Sequence, residues 1–137
     1  MLDYTGTAQD PRQFSPLTLA FLGDAVFELC ARQRVLESGN QPVNGLHKQA
    51  VALVNAGAQS QGLEKILGQL TEEEMAVYKR GRNATSNSAP KHAELSDYRR
   101  ATGVEALFGY LYLMGRQERI AELFAQMNPP ETGMQDG

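Results

Sequence analysis

Apolar residues recur at three- and four-residue intervals along most of the chain, and strict two-residue alternation is nowhere sustained, which predicts helices and no strand. Ser15-Pro16, a serine suited to an N-cap and a proline suited to a first turn, opens a long apolar run from Leu17 to Leu36 that stops near Gly39. Gln41-Pro42-Val43-Asn44-Gly45 reads as a loop. Leu46, Ala50, Leu53 and Val54 then mark a second helix, and Leu63, Ile66, Leu67 and Leu70 a third. Thr71-Glu72-Glu73-Glu74 has the spacing of a capping box and begins a fourth helix that ends at Arg80-Gly81. Residues 82–90 are small, polar and helix-averse, so a flexible basic and polar loop is expected there. Asp97 is placed to cap a fifth helix from Tyr98 to Met114, and Ile120, Leu123, Phe124 and Met127 give a last amphipathic helix before Pro129-Pro130. The expectation is all-α: an N-terminal segment over 1–14, a single helical-bundle domain over 15–128 and a disordered tail over 129–137.

Two carboxylates interrupt this pattern. On a helix, residues three, four and seven apart share a face, so Asp24 lies with Leu17, Ala20, Phe21, Phe27 and Glu28, and Glu105 with Ala101, Thr102, Phe108, Gly109 and Tyr112. An ionised carboxylate on so apolar a face needs a cation, several donors or a proton. Neither acid has a Lys, Arg or His within one turn of its own helix. A divalent metal shared by both would satisfy them together. Capping of a neighbouring helix, or pairing with an arginine across the core, would also satisfy Asp24. Thr102 either supports Glu105 or hydrogen-bonds back to its own backbone. Glu28 is either a partner of Asp24 from the next turn or a surface glutamate.

Composition narrows the setting. The 137 residues are 42% hydrophobic and 21% charged, ordinary for a globular domain with a real core. No apolar run is long enough to span a bilayer and no signal-peptide pattern opens the chain, so no membrane partner is expected. The one cysteine, Cys30, has no disulfide partner and reads as a core thiol, which fits a reducing, cytoplasmic location. The net charge of −3 argues mildly against nucleic-acid binding, but residues 79–100 hold Lys79, Arg80, Arg82, Lys91, Arg99 and Arg100 against only Glu94 and Asp97. A basic patch on an acidic body is what phosphate contact requires. Of the two histidines, His47 begins a helix and reads as structural or surface-exposed, while His92 follows Lys91, where it could contact phosphate; nothing resembles a serine or cysteine triad, and no phosphate-loop fingerprint is present.

Phe21-Leu22-Gly23-Asp24-Ala25-Val26 and Val104-Glu105-Ala106-Leu107-Phe108-Gly109 resemble the two acidic helices of the ribonuclease III family. Lys79-Arg80-Gly81-Arg82-Asn83-Ala84, Pro90-Lys91 and Tyr98-Arg99 before Ala101-Thr102-Gly103 are similar to its Mini-ribonuclease III branch, which has the nuclease domain without a double-stranded-RNA-binding domain. The resemblance runs from about Ser15 to Phe124. It implies a two-fold dimer with Phe21 at the subunit interface, and a Mg²⁺-dependent endoribonuclease, with Mn²⁺ as a substitute, that cuts double-stranded RNA. Asp24 and Glu105 would be the catalytic metal ligands, and Lys79, Arg80, Arg82, Asn83, Lys91, Arg99 and Arg100 the RNA-binding residues. It further implies 5′-phosphate products, a precursor of large-subunit (23S) ribosomal RNA as substrate, and leaves room for a ribosomal protein as a further partner. Two positions depart from the full-length family, which carries acids where this chain has Ala20 and Thr102; the compact branch shares the sparser set. That thin set keeps an alternative open, a non-catalytic module that binds duplex RNA or a ribosomal partner.

Overall fold

Six α-helices, and no strand, are present among the described residues of the computed structural model, which are 9–84 and 94–130. The order is α1 (Pro16–Leu36), α2 (Val43–Val54), α3 (Ala56–Ile66), α4 (Glu72–Asn83), α5 (Leu95–Leu113) and α6 (Gln117–Met127), with single 3-10 turns at Pro11–Gln13 and Leu67–Gln69. Positions 1–8, 85–93 and 131–137 lie outside the described residues, and with them Lys91, His92, most of the expected loop and most of the expected tail.

Local chemistry accounts for the helix ends. The Ser15 hydroxyl accepts from the Thr18 N–H, and Thr71 and Glu74 form the reciprocal capping box at α4. The Asn55 side chain accepts from the Ala58 N–H and starts α3 directly after α2. At the far end of α5, Gly115 has φ +75°, with Gly115 N–H donating to Tyr112 and Arg116 N–H to Leu111. This is a Schellman stop that requires the left-handed backbone of glycine.

Four boundaries differ from the sequence reading. Helix α3 stops at Ile66, so Leu67 falls in the 3-10 turn and Leu70 beyond it. Helix α2 begins at Val43 on a Pro42 N-cap, so the expected loop is shorter and Gly45 is helical. Helix α4 runs on to Asn83, which makes Arg82 and Asn83 helical rather than loop residues. Gly81 is not a stop because its bare Cα packs on Gly103 and Ala106 of α5, where a Cβ would lie 2.7 Å from that of Ala106. Helix α5 starts at Leu95 with Glu94 at the cap position, leaving Asp97 in the first turn, where its charge complements the helix dipole.

Helix α5 is the central element, packed by α1, α3, α4 and α6. From Ala101 to Leu111 every residue is buried except Glu105, which is half-buried. Phe27 of α1 sits 5.1 Å from Phe108 of α5 and 5.2 Å from Phe124 of α6, ring centre to ring centre, an aromatic cluster that ties three helices together. Below it, Arg119 of α6 makes a forked pair with the buried Glu74 carboxylate, both contacts 2.8 Å, and donates to the Gln69 carbonyl. Cys30 is partly buried against this core, and burial pushes its thiol pKa up.

Candidate active site

The site begins with a backbone contact. A Cβ on Gly23 would lie 1.6 Å from the Glu105 carbonyl oxygen, and one on Gly109 would lie 2.1 Å from that of Leu19. No side chain fits at either position, so α1 and α5 cross with their main chains touching. Asp24 follows Gly23, and the crossing therefore sets its carboxylate against the Glu105 side chain.

Burial pushes the Glu105 carboxyl pKa up to about 8, helped by the negative charge of Asp24 and by a hydrogen bond in which the protonated Glu105 donates to Asp24; a hydrogen bond from Gln59 opposes the rise. Two carboxylates in contact cannot both be ionised cheaply without a cation between them. Among the described residues no cluster of three or more His, Cys, Asp or Glu side chains exists. The pair stands without a third acid, and the ion pairs of the described residues lie elsewhere.

One expectation is corrected. Asp24 does not lie on a buried face; it is exposed, and only Glu105 is withdrawn from water. Helix α1 is apolar on two sides, with Leu19, Val26 and Phe27 buried and Leu17, Phe21 and Leu29 exposed. Periodicity alone could not choose between them. Asp24 lies toward the open side, where solvent or a phosphate has access.

Gln59 of α3 was missed by the sequence reading. It is 1% exposed, its amide meets Glu105, and its Oε1 has no hydrogen-bond partner among the described residues. The signal was available: Gln59 shares a helix face with Leu63 and Ile66, the same anomaly that exposed the two acids.

The other named residues fall around this pair. The Thr102 hydroxyl donates to the Tyr98 carbonyl at 3.0 Å, a back-bond within α5. Glu28 accepts from Arg32 one turn on, at 2.9 Å. Phe21 is 84% exposed on the outer side of α1. Lys79, Arg80 and Arg99 are exposed, Arg80 donating at 3.4 Å to the Phe14 carbonyl. Arg82 lies over the Tyr78 ring and donates to Asn83 Oδ1 at 3.0 Å. Arg100 pairs with Glu64 at 2.6 Å and donates to Ser60 Oγ at 3.3 Å. Because Gly81 rests on Gly103 and Ala106, the basic last turn of α4 lies beside the turn of α5 that carries Glu105.

A Ribonuclease III domain model matches residues 17–116, a span that contains both acids and the crossing. The chain belongs to the ribonuclease III family. Its relatives place it in the Mini-ribonuclease 3 branch: it is 50% identical over 118 residues to the Mini-ribonuclease 3 of Brevibacillus brevis, covering 86% of this chain and 88% of the relative. Against that of Staphylococcus aureus it is 40% identical over 111 residues, covering 80% and 83%. A crystal structure of a Fusobacterium nucleatum protein superposes with a TM-score of 0.76 at 37% identity, covering 85% of this chain and 93% of that one. Among the described residues of this family member, no helix is long and apolar enough to cross a membrane.

Proposed function

We propose that this chain is a Mg²⁺-dependent endoribonuclease that cuts double-stranded RNA as a homodimer. Ribonuclease action on RNA is the activity of its family. The observation that carries the finer reading is the contact between Asp24 and Glu105, two carboxylates brought together by a glycine crossing and in no ion pair among the described residues.

The donor set suits a hard divalent ion. Both acids offer oxygen, the buried Gln59 Oε1 lacks a partner among the described residues, and an ion with few protein ligands completes its shell with water and phosphate, as Mg²⁺ commonly does. Mn²⁺ prefers the same ligands and would substitute. When bound, the ion supplies positive charge for the phosphodiester and for an attacking water. Asp24 and Glu105 would hold it, Asp24 from the solvent side and Glu105 from the buried side. The exposed Lys79, Arg80 and Arg99, with Arg82 and Asn83 in the last turn of α4, offer donors to phosphates and 2′-hydroxyls, the groups through which duplex RNA is read. Lys91 and Arg100 belong to the same RNA-binding proposal, Arg100 once it leaves Glu64.

The dimer rests on α1. Leu17, Phe21 and Leu29 stand exposed on one side of it, and apolar side chains in such a row are commonly covered by a partner. A two-fold axis through this surface would present two acid pairs, one for each strand of a duplex. Cleavage to 5′-phosphate ends, a large-subunit ribosomal RNA precursor as substrate, action in the cytoplasm and assistance from a ribosomal protein complete the proposal.

The test is cleavage of an end-labelled RNA duplex, and of a native precursor, by wild type and Glu105→Gln with and without Mg²⁺. Mg²⁺-dependent cutting that disappears in the variant supports the reading. Duplex binding with no cutting of either RNA overturns it in favour of the non-catalytic module.

A further inference from the structure

The amide of Gln59 is almost fully withdrawn from water, yet only half of it is accounted for. Its Nε2 end donates to the Glu105 carboxyl, while Oε1 is buried with no hydrogen-bond partner among the described residues. A buried carbonyl oxygen without a partner costs about 1–3 kcal/mol. An apolar side chain at this position would avoid that cost, and the neighbours on the same face, Leu63 and Ile66, are apolar and fully buried. The next residue, Ser60, is also buried but has its partner, the Arg100 guanidinium. Among the described residues two buried side-chain oxygens lack a partner, Gln126 Oε1 on α6 and Gln59 Oε1 on α3, and Gln59 is the one whose amide meets Glu105.

We propose that Gln59 is the third oxygen donor of the acid site: its Nε2 positions the Glu105 carboxylate, and its unpaired Oε1 takes part in holding the divalent cation, directly or through one hydration water. The inference rests on the metal-holding reading of Asp24 and Glu105 and extends it to a different helix. It gives the cation a neutral ligand, so the site gains a donor without adding a third negative charge to two acids that already repel. It also explains why α3 brings an amide rather than a carboxylate to this point. With Asp24 and Glu105 alone, the site is defined by α1 and α5; with Gln59, three helices converge on it and its geometry is set from three directions. Gln59 is a positioning residue and ligand here, and no proton transfer is assigned to it.

The experiment is Mn²⁺ binding to the metal-free full chain, read by electron paramagnetic resonance, for wild type, Glu105→Gln, Gln59→Met and Gln59→Glu, beside urea unfolding in chelator. Methionine matches glutamine in length and removes both amide groups; glutamate keeps an oxygen where Oε1 stood. The expected result is a Gln59→Met protein that binds Mn²⁺ about tenfold more weakly while unfolding at no lower urea concentration than wild type. Gln59→Glu keeps an oxygen and adds a negative charge, so it should bind at least as tightly as wild type; the Gln59→Met result is the one that separates a ligand from a packing amide. Mn²⁺ affinity of Gln59→Met within about twofold of wild type, with Glu105→Gln clearly weakened, overturns the role of Gln59 and leaves the acid pair standing. Loss of binding in both Gln59 variants also overturns it, because the retained oxygen then restores nothing. Absence of Mn²⁺ binding in wild type, or no weakening in Glu105→Gln, overturns the acid-pair reading and this inference with it.

Discussion

Gly23→Ala should damage both stability and activity, because the site is built on the absence of that one methyl group. A Cβ at position 23 would lie 1.6 Å from the Glu105 carbonyl oxygen, 2.5 Å from its carbon and 2.8 Å from the Gly109 nitrogen. Non-bonded heavy atoms settle near ~3.5 Å, so α1 and α5 must part by roughly 2 Å. The obstacles are main-chain atoms in the middle of two long helices, and no rotamer change relieves them. Overpacking that a core absorbs by side-chain adjustment costs about 1–3 kcal/mol; a backbone clash belongs at the top of that range or above. Alanine's better helix propensity returns at most about 1 kcal/mol. The net expectation is a loss of about 2–3 kcal/mol, a large share of the roughly 5–15 kcal/mol of a typical domain. Parting the helices also separates Asp24 from Glu105, and a misplacement near 1 Å is enough to cost about a hundredfold in rate. Urea unfolding followed by far-ultraviolet circular dichroism, at fixed protein concentration, and duplex cleavage measure the two effects. Gly45→Ala is the control, since its nearest atom, Gln41 Oε1, would stand at an ordinary 3.7 Å, and it should stabilise by about 0.5–1 kcal/mol. A Gly23→Ala protein with wild-type stability and cleavage would refute the crossing as the origin of the site.

The Glu105 carboxyl, with its pKa raised from 4.5 to about 8, makes the metal-free protein less stable as pH rises: the folded state keeps a proton that the unfolded chain releases. The sign is fixed by linkage, with stability full below about pH 4.5 and falling until about pH 8. At about 1.4 kcal/mol per pKa unit and with water reaching the exposed Asp24 side, a loss of about 2–3 kcal/mol is expected; Glu105→Gln should flatten the profile in chelator, and an unchanged slope would contradict the burial argument. Arg119→Ala strands the Glu74 carboxylate, which is 4% exposed, and should cost about 3–5 kcal/mol in thermal or urea unfolding. For Glu74 burial raises the pKa but the Arg119 guanidinium outweighs it, so the net value is lowered; the pair's contribution is present above about pH 4.5 and lost as pH falls below it, and Arg119→Ala should lose that acid sensitivity. Duplex-RNA affinity should fall steeply with salt through counterion release, and Lys79→Ala should lower the log–log slope by about one; a salt-independent affinity would remove the basic residues from the interface.

Much of this molecule is decided within single turns. The caps at Ser15 and Thr71 are made with N–H groups three residues away, so their residue types announce them. The start of α2 beyond Pro42, the two extra residues of α4 and the early start of α5 are not local in this way. Gly81 reads as a helix stop until α5 is present to pack on it, and Asp97 reads as a cap although α5 starts two residues before it. The two acids and Gln59 are visible in the chain as polar residues on apolar faces, because periodicity marks an anomaly whatever surrounds it. Their meaning is another matter.

From the sequence alone come the helical class, the main helix order and the suspicion attached to Asp24 and Glu105, since each depends on spacing within one helix. Which side of α1 is buried was left to the tertiary structure, because both sides are apolar and only the partners of Leu19 and Phe27 distinguish them. So was the meeting of Asp24, Glu105 and Gln59, which lie on three helices far apart in the chain. Their convergence depends on how closely two backbones can approach at Gly23 and Gly109, a long-range steric fact that no local pattern encodes.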